Sequence, residues 1–164
     1  MTQLAPPKQR EIWEVVASVL DPEIPVVTIE DLGILRDISL DEAGHVEVTI
    51  TPTYSGCPAM EAITADITTA LAANGIHDVA VRLVLAPAWT TDWLTDEGKR
   101  KLRDYGIAPP QPRGSGPVPV ALSLRCPQCG SADTRELSRF GSTACKSLWS
   151  CNVCLEPFDY FKSF

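Results

Sequence analysis

Four cysteines near the C-terminal end of the chain, in the pattern C-x2-C-x21-C-x2-C, constrain its fold more than any other feature. They are Cys126, Cys129, Cys151 and Cys154, and the first pair reads Cys126-Pro127-Gln128-Cys129-Gly130. Two thiolates three positions apart on a tight turn grip one side of an ion, and a second such turn completes the tetrahedron that zinc accepts. Gly130 suits this turn because it takes up positive φ without a steric penalty. The stretch between the pairs has room for two short strands, at residues 135–140 and 146–150, with a loop between them. A module of roughly forty residues buries too little apolar surface to stand alone, so the ion contributes to its folding free energy. Phe140, Trp149, Phe158, Tyr160 and Phe161 are its expected core. Zinc is the expected ion, with iron in a rubredoxin-like or iron–sulfur site as the rival occupant.

A fifth cysteine of this region, Cys145, falls between the expected strands. A thiol outside a complete tetrahedron is either a small buried side chain or a reactive group, and the adjacent Lys146 favours the thiolate. Only Cys57 precedes residue 125.

The rest of the chain reads as α/β. Ile12, Val15, Val16, Val19 and Leu20 recur at helical spacing over residues 9–20. That helix stops at Asp21-Pro22, since the residue before a proline avoids the α region. Asp21-Pro22-Glu23-Ile24-Pro25 then reads as an extended segment with two carboxylates close together. Two alternating runs, residues 34–41 and 46–51, predict a hairpin around Asp41-Glu42-Ala43-Gly44. A loop, Thr51 to Cys57, leads into a helix with Pro58 at its first position. Met60, Ile63, Ile67, Ala70 and Leu71 form the buried face of that helix, and Asn74-Gly75 ends it. Val79, Val81, Leu83 and Leu85 make a third strand, parallel to the second because a helix connects them. A short helix from Thr95 to about Tyr105 follows. Residues 106–120, rich in Pro, Gly and Ser, read as a linker. The expected architecture is therefore α/β: a small two-layer α-β-β-α-β domain at residues 9–105, after a tail at 1–8, followed through the linker by a four-cysteine zinc ribbon at 121–164.

Charge narrows the function classes. The chain carries a net charge of −7, and residues 1–120 hold nine basic and seventeen acidic side chains. An acidic body repels phosphate backbones, which argues against nucleic acid as a partner. No apolar run approaches the length of a membrane span, and the first ten residues lack the shape of a signal peptide, so a cytoplasmic, non-membrane protein is expected.

Cys57 is the candidate chemical group of the body. Its position just before a helix places the sulfur near free N–H groups and the positive end of the helix dipole, which lower a thiol's pKa. Asp21 and Glu23 are candidate neighbours, although Asp21 in such a segment equally serves as a cap. The two histidines, His45 and His77, fall in loops at no spacing that matches a nucleophile set.

Asp21-Pro22-Glu23-Ile24-Pro25, Asp31-Leu32-Gly33-Ile34 and Thr53-Tyr54-Ser55-Gly56-Cys57-Pro58 together resemble the small domain of SufT and the cytosolic iron–sulfur targeting factors. The resemblance covers about residues 9–105. Phe140-Gly141-Ser142-Thr143-Ala144-Cys145-Lys146, the last cysteine pair and Glu156-Pro157-Phe158-Asp159-Tyr160-Phe161-Lys162 resemble the PaaD (also PaaJ) subunits of bacterial phenylacetyl-CoA epoxidase systems. The resemblance implies a role in aerobic phenylacetate degradation, with the oxygenase and reductase subunits as partners. The chain lacks the two helical Glu-x-x-His motifs of a di-iron bundle, and it has no flavin fingerprint. An accessory without a catalytic centre of its own is therefore expected. In this reading Cys57, flanked by Asp21 and Glu23, transiently holds iron or an iron–sulfur cluster, with Cys145 as a second, labile ligand. A cluster needs four ligands, so a homodimer sharing Cys57 is the simplest arrangement. The rivals are a purely structural interaction subunit and, more remotely, a nucleic-acid-binding ribbon.

Overall fold

Helix α1 (Pro7–Ala17) buries Ile12, Val16 and Ala17 along one face. The computed structural model describes residues 7–111 and 124–163, and the chain divides into two compact units, Met1–Trp89 and Thr90–Phe164. The expected tail at 1–8 lies mostly outside the described residues, and α1 already includes its last two positions.

The N-terminal unit is the expected α-β-β-α-β arrangement. Strand β1 (Leu35–Leu40) pairs antiparallel with β2 (Val46–Ile50), and β2 pairs parallel with β3 (Val79–Leu83) in the order β1-β2-β3. Helix α2 (Ala59–Ala73) makes the crossover and buries Ala59, Met60, Ile63, Ile67 and Leu71. Its end is as expected: Asn74 caps it and Gly75 follows at φ +78°. Val46, Val48 and Ile50 from the central strand are almost wholly buried.

Three local expectations need correction. The first helix ends three residues early. Leu20 leaves it to bridge with Thr28, and its side chain is exposed, because the chain must turn before Pro22. The strand expected from Ile34 begins at Leu35 and is irregular between Leu35 and Asp37, and Leu35, expected to alternate outward, is buried like Ile34. Leu83 and Leu85 are exposed, at 49% and 59%, since β3 is an edge strand and Leu85 lies past its end.

The C-terminal unit begins with a single 3-10 turn, Thr91–Trp93, and helix α3 (Asp96–Asp104), capped by the Thr95 hydroxyl accepting from the Gly98 N–H at 2.9 Å. The sequence reading has this helix close the α/β domain at residue 105, but it belongs to the second unit. The expected linker departs further from that reading. Ile107 and Ala108 form a two-residue strand, β4, parallel to β7 (Pro157–Phe161), with Ile107 opposite Asp159 and Ala108 opposite Tyr160. Two residues are too few to show any periodicity, and the surrounding prolines disguise them. Residues 112–120 of that linker and 121–123 of the ribbon lie outside the described residues.

Strands β5 (Thr134–Ser138) and β6 (Lys146–Cys151) complete a four-stranded sheet in the order β4-β7-β6-β5. Its core gathers Ala108, Leu124, Cys126, Trp149, Cys151, Phe158 and Tyr160. Trp149 and Tyr160 meet edge to face with centroids 6.3 Å apart. Phe161 is also buried, but Phe140 is 69% exposed and lies beneath the Lys162 ammonium at 4.8 Å, a cation–π contact rather than a core position.

Candidate functional site

The two turns that carry the cysteine pairs are built alike. In the first, the Cys126 N–H donates to the Ser131 carbonyl at 2.9 Å; in the second, the Cys151 N–H donates to the Glu156 carbonyl at 3.0 Å. Each turn also aims backbone N–H groups at its first sulfur. Gln128 N–H donates to Cys126 Sγ at 3.4 Å, and the N–H groups of Val153 and Cys154 donate to Cys151 Sγ at 3.4 and 3.5 Å.

All four sulfurs lie within 4.8 Å of one another, with Cys126 and Cys154 3.7 Å apart and Cys129 and Cys151 3.6 Å apart. Zinc–sulfur bonds of about 2.3 Å at tetrahedral angles put sulfurs about 3.8 Å apart, so the donor set fits the ion. Electrostatics agree. The N–H groups of Cys154 and Val153 hold the Cys151 thiol down at about 7. The Glu156 N–H pulls Cys154 down too, but burial and the sulfurs of Cys151, Cys126 and Cys129 carry it up to about 12. Four thiolates this close ionise together only around a cation.

Cys57 occupies a different setting. The loop before it turns at Gly56, whose φ is +80°, and the Cys57 N–H donates to the Tyr54 carbonyl at 3.3 Å. The Met60 N–H then donates to the Cys57 carbonyl at 3.3 Å, so the residue sits in the turn that leads into α2, just before its N-cap Pro58. The thiol is half-buried and within hydrogen-bonding reach of the Ala59 N–H and the Thr53 and Tyr54 side chains. The expected lowering of its pKa is not what results. Burial pushes the thiol up, the Ala59 N–H opposes it, and the Glu23 carboxylate adds to the rise. Desolvation outweighs the helix terminus here.

The structure thus brings Cys57 and Glu23 into electrostatic contact, and it gives Asp21 a structural task. The segment after α1 is not extended but closed into a turn. Asp21 Oδ1 accepts from the N–H groups of Glu23 and Ile24, both at 2.8 Å, and Asp21 is buried. Cys145 lies in the other unit and is buried at 4% exposure, with its sulfur 3.0 Å from the Thr143 hydroxyl. Lys146, expected to favour its thiolate, is itself buried and pairs with Asp159 Oδ2 at 3.9 Å.

Two features escaped the sequence reading. Leu155 follows the second cysteine pair at φ +65°, matching Gly130 at φ +77° after the first; the repeat of the pair was the signal. Thr51, at the start of the Cys57 loop, has a buried hydroxyl without a hydrogen-bond partner, which a lone threonine beside a proline does not announce.

A mixed three-stranded α/β unit precedes a four-cysteine sheet, and family matches give the class: an iron–sulfur assembly domain fused to a zinc ribbon. Residues 9–83 match the family described as iron–sulfur cluster assembly protein, and residues 111–162 match the PaaD zinc beta ribbon domain. The chain is 48% identical over 162 residues to an Escherichia coli protein named as a putative 1,2-phenylacetyl-CoA epoxidase subunit, covering 99% of this chain and 97% of that one. It therefore belongs to the PaaD family of phenylacetyl-CoA epoxidase subunits. The N-terminal part is also 34% identical over 92 residues to the Bacillus subtilis Fe–S protein maturation auxiliary factor YitW, covering 56% of this chain and 89% of YitW. A Bacillus anthracis domain of unknown function, DUF59, superposes with a TM-score of 0.54 at 28% identity, over 57% of this chain and 90% of that domain. The C-terminal unit is accordingly a zinc ribbon, and Cys126, Cys129, Cys151 and Cys154 are grouped as its structural zinc requires. Among the described residues no helix is long and apolar enough to cross a membrane.

Proposed function

We propose that this chain is an accessory subunit of a phenylacetyl-CoA epoxidase system, acting in the cytoplasm to load iron or an iron–sulfur cluster into the oxygenase or its reductase. Support comes from the near full-length similarity to an epoxidase subunit and from the assembly-domain family of its N-terminal part. The observation that carries the reading is the Cys57 thiol, half-buried just before the N-terminus of α2 with Glu23 as its charged neighbour.

Burial and Glu23 keep that thiol protonated in the free protein, so it resists oxidation, which proceeds through the thiolate. Arrival of a cationic cargo reverses the balance. The thiol gives up its proton as it ligates, and the carboxylate that disfavoured the thiolate now stabilises the cation. Asp21 holds the turn that fixes Glu23. One sulfur per chain leaves a cluster short of its four ligands, so a second copy and a non-protein thiol would complete the set. Cys145 would have to be uncovered before it could take part, and we assign it a packing role. Anaerobic reconstitution with iron and sulfide tests the reading: wild type should gain visible cluster absorption, and Cys57→Ser should not. Equal reconstitution of the two would remove Cys57 from the mechanism.

A second reading, a subunit that only joins proteins together, draws on the ribbon surface. Val153, Leu155 and Phe140 are 63%, 77% and 69% exposed there. Fixed-stoichiometry co-purification with the oxygenase subunits, unaffected by Cys57→Ser, would favour it.

A further inference from the structure

We propose that a cleft in the C-terminal unit, between α3 and the first metal-binding turn, is a binding site for a small organic anion. The cleft has a volume of about 700 Å³ and is lined by Lys99, Arg103 and Arg125 around a floor that includes Pro109, Pro110 and Pro127. That volume falls within the range of small-molecule sites, and an apolar floor with a few charged groups is their usual lining.

Its charge is one-sided. Among the described residues no acidic one lines the cleft. Lys99 and Arg103 are one turn apart on α3 and so share a face. The arginine between them is engaged by Glu97 and Asp104, whereas among the described residues neither Lys99 nor Arg103 has a side-chain partner. Arg125 Nη1 donates to the Gly130 carbonyl at 3.2 Å, which steers it along the turn. Residues 112–123, between Gln111 and Leu124, contain no Asp or Glu that could neutralise the three. Gly106, just past α3, lies close to the first turn: a Cβ there would stand 3.3 Å from Gln128 Nε2.

A zinc ion with four thiolates carries a net charge of −2, and nearby cations commonly offset such a charge. Three cations exceed it, and only one of the four sulfurs, that of Cys126, belongs to a residue lining the cleft. A ligand with a phosphate or carboxylate group facing the cations and an apolar body over the prolines satisfies both halves of the lining.

Calorimetric titration of the zinc-loaded full-length protein tests the site, with ADP as the phosphate probe and octanoate as the carboxylate probe. At least one probe should bind saturably at one per chain, and the probe that binds identifies the head group. The double variant Lys99→Ala/Arg103→Ala should weaken binding at least about tenfold with zinc content unchanged, and added salt should weaken it in wild type. Cys57→Ser should bind like wild type, which separates this site from the cargo reading. The proposal is overturned if neither probe saturates, if the double variant binds as wild type does, or if it loses zinc along with binding, since the cations then serve the thiolates. Binding of a glutamate-rich peptide with no binding of either small probe would overturn it as well.

Discussion

Gly130 and Leu155 occupy the same position in the two metal-binding turns, each directly after its second cysteine, with φ of +77° and +65°. Glycine takes that conformation freely; leucine is held in it at a cost of about 1–2 kcal/mol. The Leu155 side chain is 77% exposed, so it recovers little of that cost by packing. Leu155→Gly should therefore leave the zinc-loaded ribbon as stable as before or up to about 1 kcal/mol more stable, after allowing for glycine's greater unfolded-state freedom. Leu155→Val, β-branched at positive φ, should destabilise it. Denaturant unfolding of the zinc-loaded protein measures both.

Removal of the ion should have a local effect. The core of the C-terminal unit contains two of the ligands, Cys126 and Cys151, beside Trp149, Phe158 and Tyr160. A strong chelator, or Cys126→Ser, is expected to abolish amide-exchange protection in β5, β6 and β7 while α2 and β2 keep theirs. Metal analysis should give one zinc per chain before treatment.

Cys57 reactivity gives a direct reading of its surroundings. With its pKa raised, its alkylation by iodoacetamide should climb at higher pH than an ordinary thiol's, because only the thiolate reacts. Glu23→Gln removes a charge that opposes the thiolate, so the profile should move to lower pH and the rate at neutral pH should rise. Peptide mapping of the zinc-loaded protein separates Cys57 from the other cysteines. An unmoved profile in Glu23→Gln would detach Glu23 from the site.

Asp21 and Glu23 should separate cleanly by their effects on stability. Asp21→Ala leaves the N–H groups of Glu23 and Ile24 without their acceptor, at an expected cost of about 1–3 kcal/mol. Asp21→Asn retains an acceptor and should cost less. Glu23→Gln should leave the unfolding midpoint close to wild type.

Much of this was legible in the sequence because the signals were redundant. The helix α2 combined Pro58 at its start, a buried face from Met60 to Leu71 and Asn74-Gly75 at its end; the structure moves Pro58 to the cap, buries Met60, Ile63, Ile67 and Leu71 but leaves Ala70 half-buried, and keeps the end. The grouping of the four cysteines was legible from spacing alone. What was hidden depended on balances or on distant partners. The direction of the Cys57 shift depends on burial exceeding the pull of the Ala59 N–H, and motif position gives only the second. The turn around Asp21 depends on the backbone N–H groups of Glu23 and Ile24, in a stretch whose prolines read as an extended segment. Arg125 lies far enough along the chain from Lys99 and Arg103 that only the fold collects the three around one cleft.

The pairing of Ile107 and Ala108 with Asp159 and Tyr160 changes what the proline-rich stretch is for. Ala108 and Leu124, one on each side of residues 112–123, are packed into the same core. Both ends of that stretch are therefore fastened to one small sheet, and the passage from one compact unit to the next falls at Trp89–Thr90 instead. A protease that cuts between 112 and 123 would nick the protein without shedding its ribbon, since the two fragments remain joined by a shared sheet and a shared core.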